Sequence, residues 1–467
     1  GKERISMENT NKGFQFLEKY LMGPMGKISQ YRIVRAVMAA GMASIPFTIV
    51  GSMFLVLNIL PQTMPFLEGF FNNTFFRISD LYMLANKATM GVLALYFCIV
   101  IGYEYTKIFA DEEELNLNPL NGGLLSVFAF FMTLPELVLS DGKITLINEI
   151  TEGTNIINGW NIGSDGVSRL GTTGIFTAII MAVVAVQIYR FCVKHKLIIK
   201  MPESVPEGVS RSFTALIPAF LVAFVVLVIN GAFIALGTDI FKVIAVPFKF
   251  VSNLTNSWLG IIVIYLLISA LWIVGIHGAN IIGAFLTPII LSNMQLNIQG
   301  ANIPFAGEFQ NSFVIMGGSG ATLGLTIFIA FLARSEQLKV LGRAGIVPSI
   351  FNINEPIIFG LPIIYNPYLA IPFFLAPMVC ASTAYWAIKL QLVSPIIAQV
   401  PWPSPIGIGA FIGTAGDVRA LLLALINGVI AFLIYFPFIK MYDKKLLKEE
   451  SSLNSDLDEE LEPSLDH

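Results

Sequence analysis

The sequence predicts an all-α polytopic membrane protein, and three observations carry that prediction. Of its 467 residues 55% are hydrophobic and only 13% charged, whereas soluble domains carry about 25% charged residues. Nearly charge-free windows recur along the chain at about the 20-residue length that crosses a hydrocarbon core of about 30 Å. Those windows are continuous rather than alternating segments of about 10 residues, which excludes a membrane β-barrel.

The windows fall at 36–60, 82–103, 119–139, 171–191, 213–236, 257–276, 313–333, 368–388 and 420–439, with a weaker one near 281–292. Residues 1–30 form a Lys-bearing amphipathic stretch without the pattern of a cleavable secretory signal, so the first span is expected to be retained. Cys98, Cys192 and Cys380 lie in or beside apolar runs and form no CxxC pair, so they read as small buried hydrophobes; neither a disulfide framework nor a metal site is expected. The formal net charge of −3 says little about partners, because the charges are segregated, and no nucleic acid or cofactor is expected.

That segregation orients the chain. Lys12, Lys19, Lys27, Arg32 and Arg35 precede the first span, Arg190, Lys194, Lys196, Lys200 and Arg211 lie between the fourth and fifth, Arg334, Lys339 and Arg343 follow the 313–333 window, and Lys440, Lys444, Lys445 and Lys448 end the last. The positive-inside rule places all four groups, and both termini, in the cytoplasm. The segment 141–171 carries only Lys143 and Arg169 among β-formers and turn residues, and reads as an external, partly β-structured loop or a lid. Asp111 to Glu114 reads as a solvated helix end, and the acidic tail from Glu449 as disordered. Parity then requires three crossings between 237 and 334, giving about ten in all. The apolar segment 345–366 must enter and leave on one side.

Two unlike halves result. Up to 236 the spans are regular. From 257 they are interrupted, in IVGIHGANIIGAF, IMGGSGATLG and FNINEPIIFGLPIIYNP. Backbone that is not helical at membrane depth survives only where protein or a water-filled cavity satisfies it, and short Gly- or Pro-broken segments point to a transporter's binding site. The expected organisation is an amphipathic cytoplasmic start (1–30), a scaffold of five spans suited to a dimer interface (31–236), an amphipathic connector (237–256), a substrate-binding transport domain (257–440) and a disordered acidic tail (441–467).

His277 in GIHGAN and Glu355 in NINEP are the ionisable groups set deepest in the broken segments. An intramembrane charge is costly, so either group is functional or satisfies exposed helix ends. Pro356 lacks an amide donor and pushes Glu355 out of the α region, which places the acid at the break of a hairpin. Asn352 and Asn354 can cap freed backbone groups or bind hydroxyls, and Gly278 and Asn280 flank the histidine in the same way. A carboxylate in a dry polar pocket is suited to general base work. Trp402, between prolines in VPWPSP, offers a rigid face for a sugar ring or an interfacial anchor.

GIHGAN, NEPIIFGLPIIYNP and PWPSP together resemble the membrane IIC component of the bacterial phosphoenolpyruvate-dependent sugar phosphotransferase system, in its lactose, cellobiose and N,N'-diacetylchitobiose family. The resemblance covers nearly the whole chain and is most specific at the NEP segment. It implies a homodimer of about ten transmembrane helices per subunit with two re-entrant hairpins, and an elevator-type movement of the second half. It implies that Glu355 contacts the C6 hydroxyl of a β-linked disaccharide with His277 beside it. The phosphoryl donor would be a phosphocysteine on a separate IIB protein, itself charged by IIA, since no soluble domain for that cysteine is evident in the chain. The competing expectation is an ion-coupled secondary transporter of elevator type, in which Glu355 binds a proton or sodium. A membrane hydrolase is disfavoured, because no nucleophile and base pair stands out.

Overall fold

The computed structural model describes residues 31–134, 137–140, 143–146, 155–158, 169–273, 278–361, 363 and 366–461, together with Lys12, Lys19 and Lys27. The expected amphipathic start lies almost wholly outside the described residues. The chain is helical nearly throughout, as its composition demands.

The first half is built on α1 (Arg32–Thr63), α2 (Glu68–Asn73), α3 (Ser79–Thr89), α4 (Leu93–Glu112) and α5 (Pro119–Phe131), followed after a small sheet by α6 (Ile175–Lys194), α7 (Glu207–Thr214) and α8 (Leu216–Ala235). Helix α4 is its centre, packed against α1, α5 and α6. It buries Phe97, Cys98, Ile101, Tyr105 and Phe109 along one stripe, at the three- and four-residue spacing of a helix face. Gly102 of α4 and Gly122 of α5 meet so closely that a Cβ on either would overlap Ser126 or Thr106, which is why this crossing takes no larger residue. The 119–139 window is shorter as a helix than expected, because the chain leaves α5 after Phe131 and enters an antiparallel sheet of β1 (Leu137–Ser140), β2 (Lys143–Leu146) and β3 (Asn155–Asn158) in the order β2-β1-β3. The β character expected of this region is present.

Arg32, Arg35 and Arg190, assigned to one side by their charge, meet at one end of the bundle around Glu112 and Glu113. The acidic cluster is an exposed helix end, as expected at Asp111, Glu112 and Glu114, but Glu112 and Glu113 also join an ion network: Arg32 Nε donates to Glu112 at 2.7 Å, Arg190 Nε to Glu113 at 2.7 Å, and both guanidinium groups lie over the Phe109 ring. The Arg190 hydrogen bond is the largest influence lowering the Glu113 carboxyl, which falls to about 2.

Helix α9 (Ile240–Thr255) is capped by Asp239, whose carboxylate accepts from the Lys242 amide at 3.0 Å and pairs with Arg169 in a fully buried ion pair. It is amphipathic, as read from residues 237–256, and meets α10 (Trp258–Ile273) at an 84° bend. Beyond α10 come α11 (Gly278–Ile298), a π-turn at Gln310–Val314, α12 (Leu323–Phe331), α13 (Glu336–Ile350), α14 (Glu355–Gly360), α15 (Pro367–Lys389), α16 (Ile408–Gly413) and α17 (Val418–Leu461).

The 313–333 window, counted as a span but read as interrupted at IMGGSGATLG, is broken at that motif: Gly317, Gly318, Gly320 and Ala321 all have positive φ, and they turn the chain between the π-turn and α12. One expectation for this half needs correction. The tail is not disordered from 441. Helix α17 runs unbroken to Leu461, and its acids are engaged at the start of α13. Asp443 accepts from the Arg334 and Ser335 amides at 3.0 and 2.8 Å, and Glu450 accepts from the Ser335 hydroxyl at 2.7 Å and from the Glu336 and Gln337 amides at 3.2 Å. Among the described residues six helices are long and apolar enough to cross a membrane, and seven if the bent α9 and α10 count as one span. The remaining crossings expected from hydropathy are short or broken pieces, α5 and the 310–331 segment among them.

Candidate functional site

The site is built on a hairpin. Helix α13 reverses at Asn352, whose φ of 64° is left-handed, and returns as α14. Glycines let the two limbs touch: Gly345 of α13 lies on Ile357 of α14, and Gly360 of α14 lies on Leu341 of α13, an antiparallel pairing centred near residue 351. The described part of segment 345–366 thus doubles back at Asn352. Gly342 holds the hairpin against α12, its Cα facing the Ala330 backbone so closely that no side chain fits.

Glu355 opens α14 beside the Asn354 cap, with Pro356 in the first turn where its missing amide donor is harmless. Its side chain is partly buried, and among the described residues nothing donates to its carboxylate or pairs with it. The two asparagines have a different position. Asn354 is buried and its amide donates to the Ser319 carbonyl and the Thr322 hydroxyl, both at 2.7 Å. Asn352 accepts from the Gly317 amide at 2.9 Å and donates to the Trp402 and Ser404 carbonyls at 2.6 and 3.1 Å. Their carboxamides therefore stitch three broken stretches together: NINEP, the GGSG turn and PWPSP. The left-handed Gly318, at φ 116°, sits with its Cα against the Asn354 side chain, where a Cβ would overlap the carboxamide. Trp402 is half-exposed, and its backbone is the part held by Asn352. His277 lies outside the described residues; Gly278 and Asn280 are placed in the first turn of α11, without their side chains described.

A second carboxylate in this half was not singled out from the sequence. Glu308 accepts from the Asn311 amide at 2.6 Å and from the Gln399 amide at 2.8 Å, and Gln399 is in turn tied through its backbone amide to the Ser52 hydroxyl of α1 at 2.7 Å. The available signal was an acid in FAGEFQNSF, inside an otherwise uncharged stretch from 257 to 333. The Cys98, Cys192 and Cys380 thiols are buried and free, as expected.

A helical membrane protein whose interrupted segments are stitched together next to a carboxylate that has no partner among the described residues has the features of the transporter class, in which such breaks frame the substrate. The sequence matches the family "Phosphotransferase system, EIIC" over residues 38–377, and the chain belongs to that family. It is 34% identical to the lichenan permease IIC component of Bacillus subtilis (strain 168), covering 95% of this chain and 96% of that one. It is 35% identical to the cellobiose-specific EIIC component of Geobacillus stearothermophilus, covering 94% and 96%. Among solved structures it superposes on the transporter ChbC, the IIC component of the N,N'-diacetylchitobiose-specific phosphotransferase system, with a TM-score of 0.83 at 35% identity, over 93% of this chain and 99% of that one. The chain is accordingly a multi-pass membrane component of a phosphotransferase system, the family that its broken motifs resemble, and not an ion-coupled secondary transporter.

Proposed function

We propose that this chain carries a β-linked disaccharide of the cellobiose or diacetylchitobiose type across the bacterial cytoplasmic membrane and presents its C6 hydroxyl to a phosphorylated IIB protein. The observation that carries this reading is the Glu355 carboxylate, without a partner among the described residues, at the head of a hairpin whose asparagines are already bonded to the protein. The acid is held in place while its own lone pairs stay available for a hydroxyl. The relatives named for lichenan and cellobiose, and the diacetylchitobiose transporter, support the β-linked class.

In the proposed step Glu355 accepts the C6 hydroxyl proton as O6 attacks phosphorus. The S–P bond of the IIB phosphocysteine breaks, the O6–P bond forms, and the cysteine leaves as a thiolate. Positioning provides most of the catalysis in such a transfer. His277 beside Glu355 and the Trp402 face are assigned to sugar binding, with Gly278 and Asn280 shaping the histidine turn. Residues 31–236 serve as the scaffold and homodimer interface, 237–256 as the connector, and 257–440 as the body that moves as an elevator, with both termini cytoplasmic. Sugar phosphate, doubly charged, does not return through the site.

Purified protein with phosphorylated IIB tests the proposal. Glu355→Gln is expected to lower sugar phosphorylation by about 100-fold or more, the usual contribution of a general base, while sugar still binds. Undiminished turnover would remove Glu355 from the reaction. His277→Ala is expected to weaken sugar binding; unaltered affinity and turnover would make the histidine structural.

A further inference from the structure

A cavity of about 160 Å³ lies in the first half, between α6, α8 and the connector α9. Ile180 and Val184 of α6, Val226 and Ile229 of α8, and Ile240 and Val243 of α9 form much of its wall, and every wall residue is apolar. The wall offers no side-chain donor or acceptor to a sugar or an ordered water. An apolar cavity of this size takes hydrocarbon instead, as an engineered cavity of about 150 Å³ takes benzene. Two of the wall residues, Ile229 and Val243, are 41% and 38% exposed, so the cavity opens on the outside of the bundle. Helices α6 and α8 are both long and apolar enough to span the bilayer, so the medium outside that opening is lipid.

The connector adds charge to the mouth of this slot. Helix α9 is amphipathic, and with α10 crossing the bilayer the 84° bend between them lays α9 along the membrane surface, where such helices rest. Lys242 and Lys249 are both exposed and stand seven residues apart, two turns along one side of α9. Neither makes an ion pair among the described residues, and Asp239, one turn before Lys242, is engaged by Arg169. Lys242 adjoins Val243 of the cavity wall, which puts a cation at the rim. An apolar slot with lysines at its mouth matches an acyl chain joined to an anionic phosphate. A free phosphate ion would make no use of the slot, and a zwitterionic lipid would gain little from the two lysines.

We propose that α6, α8 and α9 form a binding site for one anionic phospholipid, whose acyl chain enters the cavity and whose phosphate meets Lys242 and Lys249. The inference is independent of the assignment of Glu355. In the test, the full chain is stripped of lipid in detergent and titrated with phosphatidylglycerol or phosphatidylcholine, while bound lipid is counted by native mass spectrometry and the apparent melting temperature is followed. One phosphatidylglycerol per chain is expected to bind saturably and ahead of phosphatidylcholine. It should raise the melting temperature, because a ligand held only by the folded state stabilises that state. Lys242→Gln and Lys249→Gln should each weaken phosphatidylglycerol about fivefold and leave phosphatidylcholine unchanged. Val243→Trp fills the mouth and should reduce the binding of both lipids; Ile229→Trp repeats the block from the α8 wall in case the first variant disturbs α9. Equal affinity for the two lipids, or phosphatidylglycerol binding untouched by loss of both lysines, would overturn the headgroup contact and with it the site. Full binding in both tryptophan variants would place the lipid elsewhere and overturn it as well. Inorganic phosphate should not compete with phosphatidylglycerol; competition would reduce the site to a simple anion site and refute the part played by the cavity.

Discussion

Replacing Asn354 by Asp keeps the shape of the side chain and inverts its chemistry. The amide nitrogen lies 2.7 Å from the Ser319 carbonyl oxygen and 2.7 Å from the Thr322 hydroxyl, in a buried setting. In the variant the hydroxyl can turn and donate, but the Ser319 carbonyl faces a second oxygen with no proton between them. A buried acceptor left unpaired costs about 1–3 kcal/mol, and burial of the new charge adds to it unless the acid is neutralised. The expected result is a lower apparent melting temperature in detergent. Sugar phosphorylation should fall as well, because Glu355 is the next residue and its hairpin loses its anchor on the GGSG turn. Thermal unfolding and sugar binding measured on one preparation decide the matter. If Asn354→Asp melts like wild type but binds sugar more weakly, the carboxamide is a sugar ligand and the anchoring argument is wrong.

Gly318→Ala, at φ 116° and with no room beside Asn354, should reproduce the loss of stability and turnover seen with Asn354→Asp; wild-type behaviour would show that the GGSG turn is not fixed by that contact. Asp443→Ala leaves the Arg334 and Ser335 amides without their acceptor and should destabilise by about 1–3 kcal/mol, with faster proteolysis near 334–337; an unchanged cleavage pattern would show that α17 does not secure the start of α13. Arg169→Met strands the buried Asp239 carboxylate and should cost about 3–5 kcal/mol, much of it recovered by adding Asp239→Leu; a double variant as unstable as the single one would contradict this. The Glu113 carboxyl is lowered from 4.5 to about 2, so the stability it contributes is full above about pH 4.5 and is lost as pH falls through about 2. The stability gap between wild type and Glu113→Gln should accordingly be constant from pH 7 to 5 and shrink only in more acid solution; a gap that closes between pH 7 and 5 would refute the pairing.

Hydropathy made the long helices legible because burial in lipid imposes an unbroken apolar run, and the 36–60, 171–191, 213–236, 368–388 and 420–439 windows each lie within or almost wholly within one helix. A window average hides features shorter than itself, so hydropathy alone counts 313–333 as a span, and it is the glycines of IMGGSGATLG that mark the turn at 315–322. Composition failed at the tail for another reason. Polar, acidic sequence reads as solvated chain, but Asp443 and Glu450 lie more than 100 residues from the amides they accept from, and no local pattern encodes that distance.

The same limit explains the NINEP segment. Its sequence offered two asparagines able either to cap freed backbone or to bind hydroxyls, and a glutamate suited to general base work, because side-chain chemistry alone does not separate a ligand from a brace. The fold separates them: the asparagine amides are satisfied by the turns they join, while the Glu355 carboxylate has no partner among the described residues. An acid meant to take a proton at one stage of a cycle has to be held by its neighbours rather than by its own oxygens, since any donor fixed on those oxygens would compete with the substrate hydroxyl. Two bonded asparagines just before the Glu355 carboxylate, which has no partner among the described residues, meet that requirement. Glu308 shows the contrasting arrangement, with two amides fixed on its oxygens.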